Sequence, residues 1–136
     1  MLYETDDFTL QDADGNESKG TVVFRDDGTD IAVIRAEDLQ GASVRFGNSD
    51  EVKTGDMLVM IGNPADGKPF SFCTGKRIEP DEDFYMHIDT KNSYILTDAP
   101  IVSGYSGGPV FNLAGEVIGI STPPVPETCR SMTLTI

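Results

Sequence analysis

Short apolar segments of two-residue period recur along the 136 residues, and Gly, Asp, Asn and Pro separate them. Such a pattern confines the chain to strands and turns, because successive side chains of a strand point to opposite faces. Phe8 and Leu10 alternate with polar residues ahead of Asp14-Gly15, and Thr21–Phe24 and Ile31–Ile34 flank Asp26-Asp27-Gly28. Met57–Ile61 is apolar throughout, as a strand buried on both faces would be. Phe70–Ile78, Phe84–Ile88, Tyr94–Leu96, Val110-Phe111, Val117–Ile120 and Met132–Ile136 complete the expected strands, with the prolines in loops. No stretch longer than about ten residues keeps a helical period. The expected fold class is all-β, an antiparallel barrel or sandwich. Residues 47–55 are polar and turn-rich and read as a linker between two β units.

Gly104-Tyr105-Ser106-Gly107-Gly108-Pro109 stands out from this background. One serine sits in a turn of glycines, closed by a proline, with apolar residues on both sides. A serine hydroxyl is a weak nucleophile until a base takes its proton, and the oxyanion it creates needs preorganised donors. Glycines suit such a turn because they adopt positive φ and let a substrate approach the backbone. The backbone N–H groups of Gly104 and Ser106 are therefore candidates for an oxyanion hole. The plainer alternative is a glycine-rich hairpin that happens to contain a serine. Gly104–Gly108 also satisfies the G-x-S-x-G elbow of α/β-hydrolases, but that elbow needs a following helix and a downstream histidine. Here a hairpin turn, Asn112–Gly115, follows, and no histidine lies after Ser106.

Charge narrows the partners. With 23 acidic and 10 basic residues the formal net charge is −13, which argues against nucleic acid, since phosphate binding needs a basic patch. No apolar run approaches the roughly 18 residues of a membrane span, and no leader of basic and apolar regions opens the chain. Localisation is left open by the sequence; an extracytoplasmic protein would require such a leader upstream. Cys73 and Cys129 lack metal-ligand spacing and are equally consistent with two buried thiols or one disulfide. No metal or cofactor is expected.

The run Thr97-Asp98-Ala99-Pro100-Ile101-Val102-Ser103-Gly104-Tyr105-Ser106-Gly107-Gly108-Pro109-Val110-Phe111-Asn112, followed by Gly115–Ile120, resembles the nucleophile segment of the trypsin-like serine proteases, in particular their HtrA (Deg) branch. Asp30–Arg35 resembles the strand that carries the triad aspartate in that branch. Lys53–Asp56 through Ile61-Gly62-Asn63-Pro64 resembles the start of its second barrel. The resemblance implies two antiparallel six-stranded barrels with the active site between them. It makes residues 1–52 a partial N-terminal barrel and residues 53–136 a complete C-terminal one. It also implies peptide-bond hydrolysis through an acyl-enzyme, with Ser106 as nucleophile and Asp30 orienting the base. Gly104 and Ser106 would form the oxyanion hole. Pro100, Ile101 and Val102 would line the P1 pocket, with Thr122 at its wall, favouring small or apolar P1 residues. Tyr105 departs from the family, which usually has Asp or Asn before the serine, and places a bulky residue beside the hole.

In that family the base histidine precedes the aspartate by some tens of residues, yet none of the 29 residues before Asp30 is histidine. The chain is accordingly expected to be a truncated form that begins after the histidine. His87 is the one histidine present. Phe84, Met86 and Ile88 form the apolar face of its segment, and His87 shares the other with Tyr85 and Asp89, which reads as a surface histidine. Two functions remain from the sequence: a serine endopeptidase that is inactive as this chain, or a non-catalytic relative that binds extended peptides or a partner chain. Self-association through the incomplete first barrel is a third expectation, since unpaired strand edges invite pairing.

Overall fold

A computed structural model describes residues 7–38, 41–64, 70–80, 93–125 and 130–135. Among the described residues, ten strands and one three-residue 3-10 turn account for the regular structure, so the fold is nearly all-β as the two-residue periodicity requires. The chain divides into two compact units, Met1–Ser43 and Val44–Ile136.

The first unit is a three-stranded antiparallel sheet in which β1 (Asp7–Gln11), β2 (Glu17–Asp26) and β3 (Ile31–Ala36) follow one another. The side chains of Leu10 and Ile34 close over Gly20, where a Cβ would lie 2.7 Å from the Ile34 Cγ2 and 2.8 Å from the Leu10 Cδ1. Three strands cannot bury apolar residues on both faces, and Val23, Phe24 and Val33 remain exposed.

The second unit contains a closed six-stranded antiparallel barrel. Its strands are β5 (Met57–Gly62), β6 (Ser71–Ile78), β7 (Tyr94–Thr97), β8 (Pro109–Phe111), β9 (Glu116–Val125) and β10 (Arg130–Thr135). Around the barrel they run β10-β7-β6-β5-β8-β9, and pairing of β9 with β10 closes the ring. Every one of these six pairings is antiparallel. Leu58 and Met60 of β5, Ile95 of β7, Val110 of β8 and Ile118 of β9 meet inside, joined by Val52, Ala99, Ile101 and Tyr105. The alternation read from the sequence thus becomes the inside and outside of a barrel wall.

Two sequence expectations are corrected. Residues 47–55 are structured rather than a plain linker: Asn48 caps the 3-10 turn Ser49–Glu51, and Val52 is buried in the barrel core. Just before them, β4 (Arg45–Phe46) pairs in parallel with β9, a strand too short to show a period. Not all prolines lie in loops. Pro109 opens β8, and Pro123 and Pro124 lie within β9, where the register against β10 shifts between Arg130 and Met132. A proline has no N–H to give a ladder, so the start of a strand and an irregularity are the places that tolerate it. The expected strand Phe84–Ile88, and His87 with it, lies outside the described residues.

Two hairpin turns share one construction. Asp12 Oδ1 accepts the N–H groups of Asp14 and Asn16, as Asn112 Oδ1 accepts those of Ala114 and Glu116. In each turn a side-chain contact ties the two ends, Asn16 Nδ2 to Asp12 Oδ2 and Asn112 Nδ2 to Glu116 Oε2. The bonds received from Asn16, first from its side chain and then from its backbone, hold the Asp12 carboxyl below the ordinary aspartate value. We expect Asn112→Ala to lower the unfolding free energy by about 1 kcal/mol in urea denaturation. The paired change Asn112→Asp with Glu116→Asn should recover most of it, by reproducing the Asp12–Asn16 turn.

Candidate active site

Residues 98–108 connect β7 to β8, and their lower part is bound to the barrel. Asp98 Oδ1 accepts the Lys76 N–H at 2.6 Å, while the Asp98 N–H donates to the Lys76 carbonyl at 3.2 Å. The Ala99 N–H donates to the buried Thr97 hydroxyl at 3.0 Å, and the Ile101 N–H to the Ala99 carbonyl at 2.8 Å. These bonds carry the chain from the barrel wall into the glycine turn.

The turn itself is held by its own backbone. Tyr105 N–H donates to the Val102 carbonyl at 3.3 Å, and Gly108 N–H to the Tyr105 carbonyl at 2.9 Å. Gly104 offers its carbonyl to the Asn63 N–H at 2.9 Å. Gly107 N–H donates to the Ser121 carbonyl at 2.7 Å, and Ser121 N–H donates back to the Gly108 carbonyl at 2.8 Å. Of the hydrogen-bond donors in Gly104–Gly108, the N–H of Gly104, the N–H of Ser106 and the Ser106 hydroxyl are left over, forming no hydrogen bond among the described residues. Gly104 and Ser106 are both exposed, whereas the residue between them is 6% exposed.

Glycine is required at two positions here. Gly104 has φ +103, and a Cβ on it would collide with the Asn63 carbonyl oxygen and lie 2.7 Å from the Pro64 Cα. Gly108 packs its Cα against the Ile61 carbonyl oxygen, so a side chain there would push the turn off β5. Residues 99–115 carry no charged side chain. No carboxylate of this stretch therefore opposes negative charge forming at the serine.

The remaining candidates fall as follows. Pro100 and Val102 are exposed, and Ile101 is buried in the core. Thr122 is half-buried on β9, its hydroxyl donating to the Met132 carbonyl at 3.3 Å, one residue beyond the Ser121 that holds Gly107. Asp30 belongs to the first unit, exposed in the turn before β3 with φ 56. That turn is organised by Asp26, whose carboxylate accepts the Gly28 N–H and the Thr29 hydroxyl. The sequence marks neither Asn63 nor Ser121 as a site residue, although both hold the serine turn; they act through backbone groups, which leave no side-chain signal. Tyr105 turns its ring into the core instead of crowding the exposed side of the turn.

Cys73 is a free thiol on β6, packed against the core. Burial pushes its pKa up, and a hydrogen bond from the Tyr105 side chain partly opposes this. Cys129 lies outside the described residues. Among the described residues no group of three or more His, Cys, Asp or Glu is placed to hold a metal ion. Because a raised pKa leaves less thiolate, Cys73 is expected to be alkylated by iodoacetamide at pH 8 more slowly than an ordinary thiol. Its rate should climb with pH, and Tyr105→Phe, which removes the stabilising donor, should slow it further. Site-resolved mass spectrometry of the alkylated peptides checks both.

Comparison with known proteins places this geometry. Residues 4–120 match the family described as trypsin-like peptidase domain. A Chlamydia pneumoniae protein named probable periplasmic serine endoprotease DegP-like is 39% identical over 109 residues, covering 80% of this chain and 22% of that protein. A Haemophilus influenzae protein named probable periplasmic serine protease do/HhoA-like is 36% identical over 123 residues, 90% of this chain and 26% of that protein. The chain thus spans about a quarter of the length of these curated relatives. Among solved structures, the HtrA-type protease AlgW with decapeptide superposes with a TM-score of 0.83 at 27% identity, over 98% of this chain and 42% of that one. No described helix is long and apolar enough to cross a membrane.

Proposed function

The chain belongs to the trypsin-like peptidase family, as a homologue of its DegP/HtrA serine proteases, and from that premise we propose that it is the nucleophile-bearing part of a serine endopeptidase. The observation that carries this reading is the serine turn: the N–H groups of Tyr105, Gly107 and Gly108 are bonded, while those of the exposed residues Gly104 and Ser106, with the Ser106 hydroxyl, are left over among the described residues. Ser106 Oγ adds to the scissile carbonyl carbon as its proton passes to a base. The N–H groups of Gly104 and Ser106 donate to the oxyanion that forms. The C–N bond then breaks, the proton goes to the leaving amine, and water hydrolyses the acyl ester on Ser106. Asp30 orients the base. Pro100, Ile101 and Val102, with Thr122 as the wall, favour small or apolar P1 side chains, because none of them offers a charge to a basic one.

These 136 residues contain His87 and no other histidine, and none precedes Asp30. We propose that this polypeptide by itself has negligible peptidase activity. Loss of the base alone removes on the order of 10⁶ in kcat. Residues 1–52 then serve as part of the first barrel, and the full protein works outside the cytoplasm, as the periplasmic naming of its homologues suggests.

A second reading has one observation in its favour: the AlgW structure is a complex with a decapeptide. On this reading the chain binds extended peptides without cleaving them, through backbone pairing with an added strand. Partner chains could engage the first unit in the same way, since its outer strands β1 and β3 each pair on one side only among the described residues.

A fluorophosphonate probe separates the two readings. We expect no stoichiometric labelling of Ser106 within hours in the 136-residue chain, and rapid labelling once a histidine-bearing segment is supplied upstream. Rapid labelling of the chain alone, abolished by Ser106→Ala, would show a base already present. Calorimetric binding of a decapeptide with no cleavage under either condition would favour the binding reading.

A further inference from the structure

Ser106 and Gly104 face outward while Tyr105, between them, faces inward, and this alternation decides what the turn presents. The Tyr105 ring belongs to the barrel core with Leu58, Met60, Ile95, Val110 and Ile118. Its seat is Gly62, the last residue of β5. A Cβ at Gly62 would lie 2.7 Å from both the Cα and the Cδ1 of Tyr105 and 2.8 Å from its Cγ. Backbone and ring therefore rest directly on the strand, in space that only a glycine leaves. At its far end the side chain reaches Cys73 on β6, so the ring spans two neighbouring strands.

Two of the turn's hydrogen bonds belong to the same residue. Tyr105 N–H reaches back to Val102, and the Tyr105 carbonyl receives Gly108 N–H. The backbone bonds of the turn leave the Gly104 and Ser106 N–H groups themselves unbonded among the described residues, so nothing at those groups resists a rotation that would carry them toward nearby carbonyls. A buried aromatic ring fixed at one Cα restricts such rotation on both sides of it, because interiors are close-packed and admit few alternative placements.

We infer that Tyr105 is a positioning residue: its ring, seated on Gly62, locks the Gly104–Gly108 turn in the shape that exposes the Gly104 and Ser106 N–H groups. This deepens the proposed function and rests on it only for what the exposed groups are used for. The lock itself is a property of the turn and holds whether or not a base is present.

Amide hydrogen exchange by NMR on the 136-residue chain tests it without any chemistry at Ser106. Gly107 and Gly108 report on the turn, and Met60 and Ile118 on the barrel. In Tyr105→Asn, exchange at Gly107 and Gly108 is expected to accelerate at least about tenfold beyond any change at Met60 and Ile118, as local opening would do. Tyr105→Phe keeps the ring and should stay within about threefold of the parent chain at all four amides. If Tyr105→Asn does not fold, Tyr105→Leu takes its place, with the same direction expected. Turn amides that merely keep pace with the barrel in Tyr105→Asn or Tyr105→Leu would overturn the inference, as would a Tyr105→Phe turn as loose as theirs. Failure of Ser106 to react with a fluorophosphonate after a histidine segment is supplied would instead count against the nucleophile reading, and leaves the exchange result standing as evidence on the lock.

Discussion

Ser121 exchanges two backbone hydrogen bonds with the peptide groups at Gly107 and Gly108, at 2.7 Å and 2.8 Å, and the placement of the serine turn hangs on that exchange. It continues the β8–β9 ladder one step past Pro109 and Ile120, to Gly107 and Gly108, which precede β8. The serine turn is therefore an extension of a sheet rather than a free loop. The strand behind it, β9, is held by β10, whose pairing closes the barrel. Barrel closure, strand position and serine exposure form one mechanical chain. The ladder also consumes the N–H of Gly107 and, through Tyr105, that of Gly108, so the donors left for a ligand are those of Gly104 and Ser106.

Packing completes what the ladder begins. Gly62, Gly104 and Gly108 each bring a backbone close to another backbone or to a ring, and the turn sits on β5 as a result. Tyr105 packs on Gly62 and extends into the barrel core. A large side chain beside Ser106 would crowd the turn if it lay on the exposed side. Buried, it becomes the support of the turn, and the hydroxyl that comes with it finds Cys73. The physical cost of placing a polar phenol in a core is offset by that contact.

Much of this was legible in the residues. The strands β1, β3, β5, β6, β7 and β8 lie within a residue or two of where alternation and turn chemistry put them, because both signals are local. β2 is longer than expected, since its polar ends, Glu17–Lys19 and Arg25-Asp26, are strand by pairing rather than by composition. β4 and the structured 47–55 segment were illegible for the same reason: two exposed residues beside β9, and one buried valine, carry no periodic signal. Proline misled at Pro109, Pro123 and Pro124, where the ladder happens not to need their N–H.

By itself the sequence determined that the chain is β-built, that Ser106 lies in a turn only glycine permits, and that the family is that of the trypsin-like peptidases. Each of these is written in neighbouring residues, where periodicity, φ preference and motif spacing act over a few positions. The tertiary structure alone decided that β9 and β10 close a six-stranded barrel, that Asn63 and Ser121 grip the serine turn, and that Tyr105 points inward while Gly104 and Ser106 point out. Those outcomes depend on backbone groups and cavities contributed by segments remote in the chain, and side-chain identity does not encode which distant carbonyl will be within reach once the barrel has closed.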